Sequence, residues 1–164
     1  SVIHDRRTAG TVIDDNLVAL KIRGRLNEEA ALAERVHVDI NSYNGVVLLT
    51  GQTPTAADRA RVQALASEVD KVRRIYNELE VAAPTSVLAR SNDTLLGARI
   101  KSRMLAEKGF DPTRVKVAVE QGVVYLMGLV SAAEARVATE IARTTRGVQR
   151  VVKLFEYLPE PAGA

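Results

Sequence analysis

The chain has 164 residues, 46% of them hydrophobic and 26% charged, with a formal net charge of +3, the profile of an ordinary globular protein. It contains no Cys, which excludes disulfides, thiolate metal sites and thiol nucleophiles within this sequence and suits either redox compartment. No apolar run approaches the ~18 residues that a membrane-spanning helix needs.

Residues 1–13 carry Arg6-Arg7 and Gly10 without apolar periodicity and read as a flexible N-terminal leader. Asp14-Asp15-Asn16 offers an N-cap. Val18, Ile22 and Leu26 follow at i, i+4 and i+8, a helix face with Leu17 and Leu20 beside it. After a polar connection over 27–35, Val36, Val38 and Ile40 alternate with His37, Asp39 and Asn41, the period of a half-buried strand. Asn44-Gly45 predicts a type I′ hairpin turn, which needs positive φ at both central residues. The chain returns along Val46 to Thr50 and reaches Gly51. Thr55-Ala56-Ala57-Asp58 opens a second helix, with Val62, Leu65, Ala66 and Val69 at i, i+3, i+4 and i+7. Asp70-Lys71 turns the chain into a third strand over 72–81, and a short linker containing Pro84 follows.

The pattern then restarts. Asn92-Asp93-Thr94 predicts the cap of a helix carrying Leu96, Ile100 and Met104. Val115, Val117 and Val119 alternate along a strand, Gln121-Gly122 turns, and Val123 to Met127 returns to Gly128. Ser131-Ala132-Ala133-Glu134 has capping-box spacing, Ala138, Ile141, Ala142 and Thr145 continue a helical stripe, Gly147 suits a helix C-cap, and 148–158 read as the last strand. The two copies lie about 76 to 78 residues apart throughout, the signature of a duplication. The expected fold class is α+β: two domains, each α-β-β-α-β, with a three-stranded mixed sheet packed against two helices. The expected boundaries are a leader at 1–13, domains at 14–82 and 92–158, a linker at 83–91 and a tail at 159–164.

The core of the repeat is Asn44-Gly45-Val46-Val47-Leu48-Leu49-Thr50-Gly51, returning as Gln121-Gly122-Val123-Val124-Tyr125-Leu126-Met127-Gly128 and followed by an Ala-rich helix and Gly147-Val148-Gln149-Arg150-Val151. This pattern resembles the BON domain, with Lys71 in the first copy where the second has Gly147. The tandem pair, preceded by Thr11-Val12-Ile13-Asp14-Asp15, is similar to a dual-BON group of outer-membrane lipoproteins. Ser91-Asn92-Asp93-Thr94 and Tyr125-Leu126-Met127-Gly128-Leu129-Val130 carry that likeness in particular. The resemblance covers residues 10–158. It implies a non-enzymatic protein without cofactors at the periplasmic face of the outer membrane, anchored through an acylated Cys upstream of Ser1. It further implies binding of anionic phospholipid, of the phosphatidylglycerol or cardiolipin type, through the first helix of the second domain, in support of outer-membrane integrity. A single acyl chain anchors only marginally, so a second lipid contact makes physical sense.

The residues supply such a contact on one helix. Beside the core residue Leu96, the positions Leu95, Arg99, Ser102 and Arg103 share a second face, spaced i, i+4, i+7 and i+8. Leu95 would supply apolar bulk, Arg99 and Arg103 guanidinium groups for phosphates, and Asn92, Asp93 and Thr94 a helix N-terminus for a head group. These eight residues are the candidate lipid site. The first copy has an equivalent stripe in Leu17, Lys21, Gly24 and Arg25, so the pattern also suits an ordinary solvated face. What differs is charge: residues 14–81 carry 9 Lys+Arg against 11 Asp+Glu, whereas 91–158 carry 11 against 7. The second half is the better match for an anionic partner.

Other chemistries lack support. His4 and His37 are the only histidines, so neither a triad nor a metal site has its components. Tyr43, Tyr76, Tyr125 and Tyr157 are dispersed, which gives no stacking platform for nucleic acid. An alternative role remains open: a protein-interaction module that scaffolds or regulates envelope-assembly proteins through exposed sheet edges, with lipid incidental. The chain is expected to be a monomer.

Overall fold

A computed structural model describes residues 6–159. The leader residues before Arg6, with His4, and the end of the expected tail lie outside the described residues. The chain divides into two compact units, Arg7–Ser86 and, among the described residues, 87–159 together with Arg6.

In the first unit α1 (Ala9–Glu28) begins earlier than expected. Thr8, not Asp14-Asp15-Asn16, is its N-cap and accepts from the Thr11 N–H at 3.0 Å. Part of the expected leader is therefore helix. Val18, Ile22 and Leu26 are buried as predicted, and Asp15 is buried among them. The polar connection contains a short helix, α2 (Ala30–Arg35), which seats Leu32 in the core. β1 (His37–Tyr43) and β2 (Val46–Thr53) form the antiparallel hairpin, closing at Tyr43↔Val46. Asn44 and Gly45 take φ 52° and 77°, as a type I′ turn requires. α3 (Ala56–Ser67) is capped by Thr55, which accepts from the Asp58 N–H. The expected third strand is broken into β3 (Arg74–Asn77) and β4 (Glu80–Val81), both parallel to β2.

The second unit repeats the plan. α4 (Val87–Ala106) starts at Val87, so its first turn occupies sequence read as linker. A 3₁₀ turn at Pro112–Arg114 leads into β5 (Val115–Glu120), which pairs antiparallel with β6 (Val123–Val130). α5 (Ala132–Arg143) carries the full capping box of Ser131 and Glu134. It ends at Arg143, four residues before the Gly147 that the sequence marked as its end. β7 (Arg150–Tyr157) is one unbroken strand parallel to β6. In each unit the helices cover one sheet face, around Val47, Leu49 and Val62 in the first and Val124, Leu126 and Ile141 in the second.

Gly51 and Gly128 do not end the hairpins; β2 and β6 run past them. Their place is set by a close approach of backbone. A Cβ on Gly51 would collide with the His37 carbonyl oxygen, and one on Gly128 with that of Arg114. The duplicated glycine thus lets the returning strand cross the start of its partner.

Candidate functional site

α4 is a helix of 20 residues, about 30 Å long at 1.5 Å per residue. One stripe, Leu96, Gly97, Ile100 and Met104, is buried. The opposite face carries Val87, Leu88, Leu95 and Leu105, which are 78%, 71%, 61% and 74% exposed. Leu88, Leu95 and Ser102 follow one another at seven-residue spacing, as do Ser91, Ala98 and Leu105. At 100° per residue these six make one continuous stripe of apolar and small residues. Arg99 and Arg103 flank it on one side and Lys101 on the other, all exposed. An exposed apolar stripe between cations is the layout of a helix lying in a membrane interface.

The predicted site residues fall into two groups. Asn92, Leu95, Arg99, Ser102 and Arg103 are exposed and border or belong to this face. The others have different work. Leu96 is buried in the core. Thr94 is also exposed and donates its hydroxyl to the Arg90 carbonyl at 3.0 Å. Asp93 is not an N-cap: it lies more than a turn inside α4, and its carboxylate accepts from the backbone N–H groups of Gln121 (2.8 Å) and Gly122 (3.0 Å). The helix N-terminus expected at Asn92-Asp93-Thr94 is therefore elsewhere, and their N–H groups belong to the interior of the helix.

Both arginines have partners, and the kind of partner matters. Arg99 Nη1 donates to the Arg146 carbonyl at 3.0 Å. Arg103 Nη1 donates to the Ile141 carbonyl (2.7 Å) and to the hydroxyls of Thr144 (3.0 Å) and Thr145 (2.8 Å). They thus sit at the C-terminal end of α5, where the helix dipole favours cations. All these acceptors are neutral, so none of them compensates either guanidinium charge, and no bond to Nε or Nη2 of either occurs among the described residues.

The equivalent helix of the first unit differs on this point. α1 also exposes Ile13, Leu17 and Leu20. Of its cations, Arg23 donates to the Val38 carbonyl, while Arg25 is paired with the Glu68 carboxylate at 2.7 Å. The surrounding groove adds Glu28 and Asp70 to Lys21. The two helices share an apolar face, but Arg25 of α1 meets a carboxylate where Arg99 and Arg103 of α4 meet neutral acceptors.

Sequence reasoning missed Val87, Leu88 and Leu105. The signal for Leu88 was present: it stands seven residues before Leu95, and no glycine or proline separates them. Proximity to Pro84 obscured it.

The BON domain family model matches residues 14–83 and again 92–159. The chain is 38% identical over 157 residues to "Outer membrane lipoprotein DolP" of Haemophilus influenzae, covering 96% of this chain and 81% of that one. It is 38% identical over 154 residues to "21 kDa hemolysin" of Actinobacillus pleuropneumoniae, covering 94% and 79%. Among solved structures, the C-terminal domain of CdsD, the structural protein of the Type III secretion system of Chlamydia trachomatis, matches at 14% identity with a TM-score of 0.31. That match covers 85% of this chain and 96% of that one. The last likeness carries no functional argument.

Proposed function

Because the chain belongs to the BON-domain family, with two copies in tandem, we propose that it is a non-enzymatic protein of the outer-membrane envelope that holds anionic phospholipid against the exposed face of α4. The observation that carries this reading is the apolar stripe of Val87, Leu88, Leu95 and Leu105 beside Arg99 and Arg103, whose protein partners are all neutral. Apolar side chains enter the acyl region while guanidinium groups meet phosphates at the head-group level. The relative in Haemophilus influenzae, an outer membrane lipoprotein by name, supports placement at the periplasmic face of that membrane through a lipid anchor. No helix among the described residues is long and apolar enough to cross a membrane, so on this reading α4 lies along the surface.

The test is co-sedimentation with vesicles of phosphatidylcholine alone and of phosphatidylcholine with phosphatidylglycerol or cardiolipin. Binding should require the anionic lipid and weaken as salt rises. Leu88→Asp with Leu95→Asp should abolish it. Undiminished binding by that variant, or equal binding to neutral vesicles, overturns the proposal.

A further inference from the structure

In the second unit β7 is the outer strand of its sheet. Its eight residues pair with β6 from Val123↔Arg150 to Val130↔Tyr157. Among the described residues no strand pairs with its other edge. An unbroken edge of that length is a template for a further strand. Alternation places Val151, Lys153, Phe155 and Tyr157 on the face turned to α5. Val151 and Phe155 pack into the core. Lys153 and Tyr157, with Ala132, Ala135, Arg136 and Thr139 of α5, line an open groove of about 490 Å³ beside the strand.

The first unit shows the same place closed. There the strand breaks between β3 and β4, and Arg59 of α3 reaches across to it. Arg59 Nε donates to the Leu79 carbonyl at 2.8 Å, and Nη2 to that of Asn77 at 2.6 Å. The Asn77 side chain donates in turn to Gln63 at 3.0 Å. Counting from the helix caps Thr55 and Ser131, the position of Arg59 is filled in α5 by Ala135. The long donor is gone, the strand is continuous, and a groove stands where the guanidinium would lie.

The open groove also has a sign. Arg136 and Lys153 are exposed on it. Its one carboxylate, Glu140, is held by Arg143 through contacts of 2.6 to 3.0 Å. A Lys on an edge strand turns away apolar strands indiscriminately, but a strand bearing carboxylates satisfies it. We infer that the groove between β7 and α5 docks an extended acidic segment of a partner protein, which adds to β7 as a strand and sets its carboxylates against Arg136 and Lys153. This site shares no residue with the α4 face and stands or falls independently of lipid binding.

The experiment titrates the whole, isotope-labelled chain with a capped peptide of about ten residues alternating Val and Glu, long enough to span the strand, and with its Val/Lys counterpart. The acidic peptide should shift backbone resonances of β7 and α5 and slow hydrogen exchange along the β7 edge. Arg136→Glu with Lys153→Glu should weaken it about tenfold or more, while Leu88→Asp with Leu95→Asp leaves it unchanged. The proposal is overturned if the acidic peptide does not bind at millimolar concentration, if the lysine peptide binds equally well, or if the shifts fall outside β7 and α5.

Discussion

Asp15 and Asp93 hold the same place in the two units: each projects from the first helix and clamps the hairpin turn that follows it. Asp93 accepts from the N–H groups of Gln121 and Gly122. Asp15 accepts from those of Asn44 (2.6 Å) and Gly45 (2.8 Å), and also from the Ser42 hydroxyl and Arg7. A carboxylate facing paired turn amides anchors helix to hairpin by charge-assisted hydrogen bonds. Asp93→Ala should therefore cost about 2 kcal/mol, and Asp15→Ala, which also removes the acceptor of the Ser42 hydroxyl bond and the ion pair with Arg7, about 3 kcal/mol. Urea denaturation of each single variant measures both.

Arg103 serves two purposes that can be separated. Its guanidinium caps the carbonyl end of α5 and also faces the proposed lipid surface. Arg103→Ala should lower stability by about 1–2 kcal/mol as well as weaken vesicle binding. Leu88→Asp, at a position 71% exposed, should weaken binding with a stability change within about 0.5 kcal/mol. Thermal unfolding beside co-sedimentation distinguishes the two.

Acid should loosen the second unit through Glu134. Burial alone would raise its pKa, but hydrogen bonds from Arg6, the Ser131 backbone and Arg114 outweigh that and hold the carboxyl at about 2, below its ordinary 4.5. The folded state thus favours the ionised form. Its stabilisation is complete above the unfolded value of 4.5 and is lost as pH falls from there through about 2. Glu134→Gln should flatten the dependence of stability on pH across that window, read from denaturation midpoints at stepped pH.

Lys71 occupies the left-handed region, φ 74°, where the second copy has Gly147 at φ 101°. A side chain there is strained, whereas glycine is not. Lys71→Gly should stabilise the first unit by about 0.5–1 kcal/mol, visible as a higher denaturation midpoint.

Arg59 closes the edge of the first sheet by covering two carbonyls. Arg59→Ala leaves them without that donor and should cost about 1–3 kcal/mol. Hydrogen exchange should rise at residues 77–80 ahead of the rest of the unit.

Local rules made the repeat, the hairpins, the parallel crossovers and most of the buried stripes legible in the sequence. Period-2 alternation, Asn44-Gly45 and the spacing of Val62, Leu65, Ala66 and Val69 depend on residues near in sequence. The starts of α1 and α4 differ from expectation for a physical reason. An aspartate before an apolar stripe looks like a cap, and only the folded hairpin reveals that Asp15 and Asp93 point at amides about 28 to 30 residues away. The break in the first unit's third strand was hidden likewise; there Arg59 reaches from another element to the carbonyls of Asn77 and Leu79.

The candidate site divides the same way. Sequence alone determined the repeat and the charge difference between the halves, since these follow from composition and short-range spacing, while the choice of α4 came from the family resemblance together with that charge difference. Tertiary structure decided which of the eight residues face outward, added Val87, Leu88 and Leu105, and reassigned Asp93 to the scaffold. It also decided that the arginines of α4 meet neutral acceptors while Arg25 of α1 meets Glu68. Whether a cation is neutralised depends on what the fold brings within hydrogen-bond reach, and residues 38 to 47 positions apart in the chain settle it in both units.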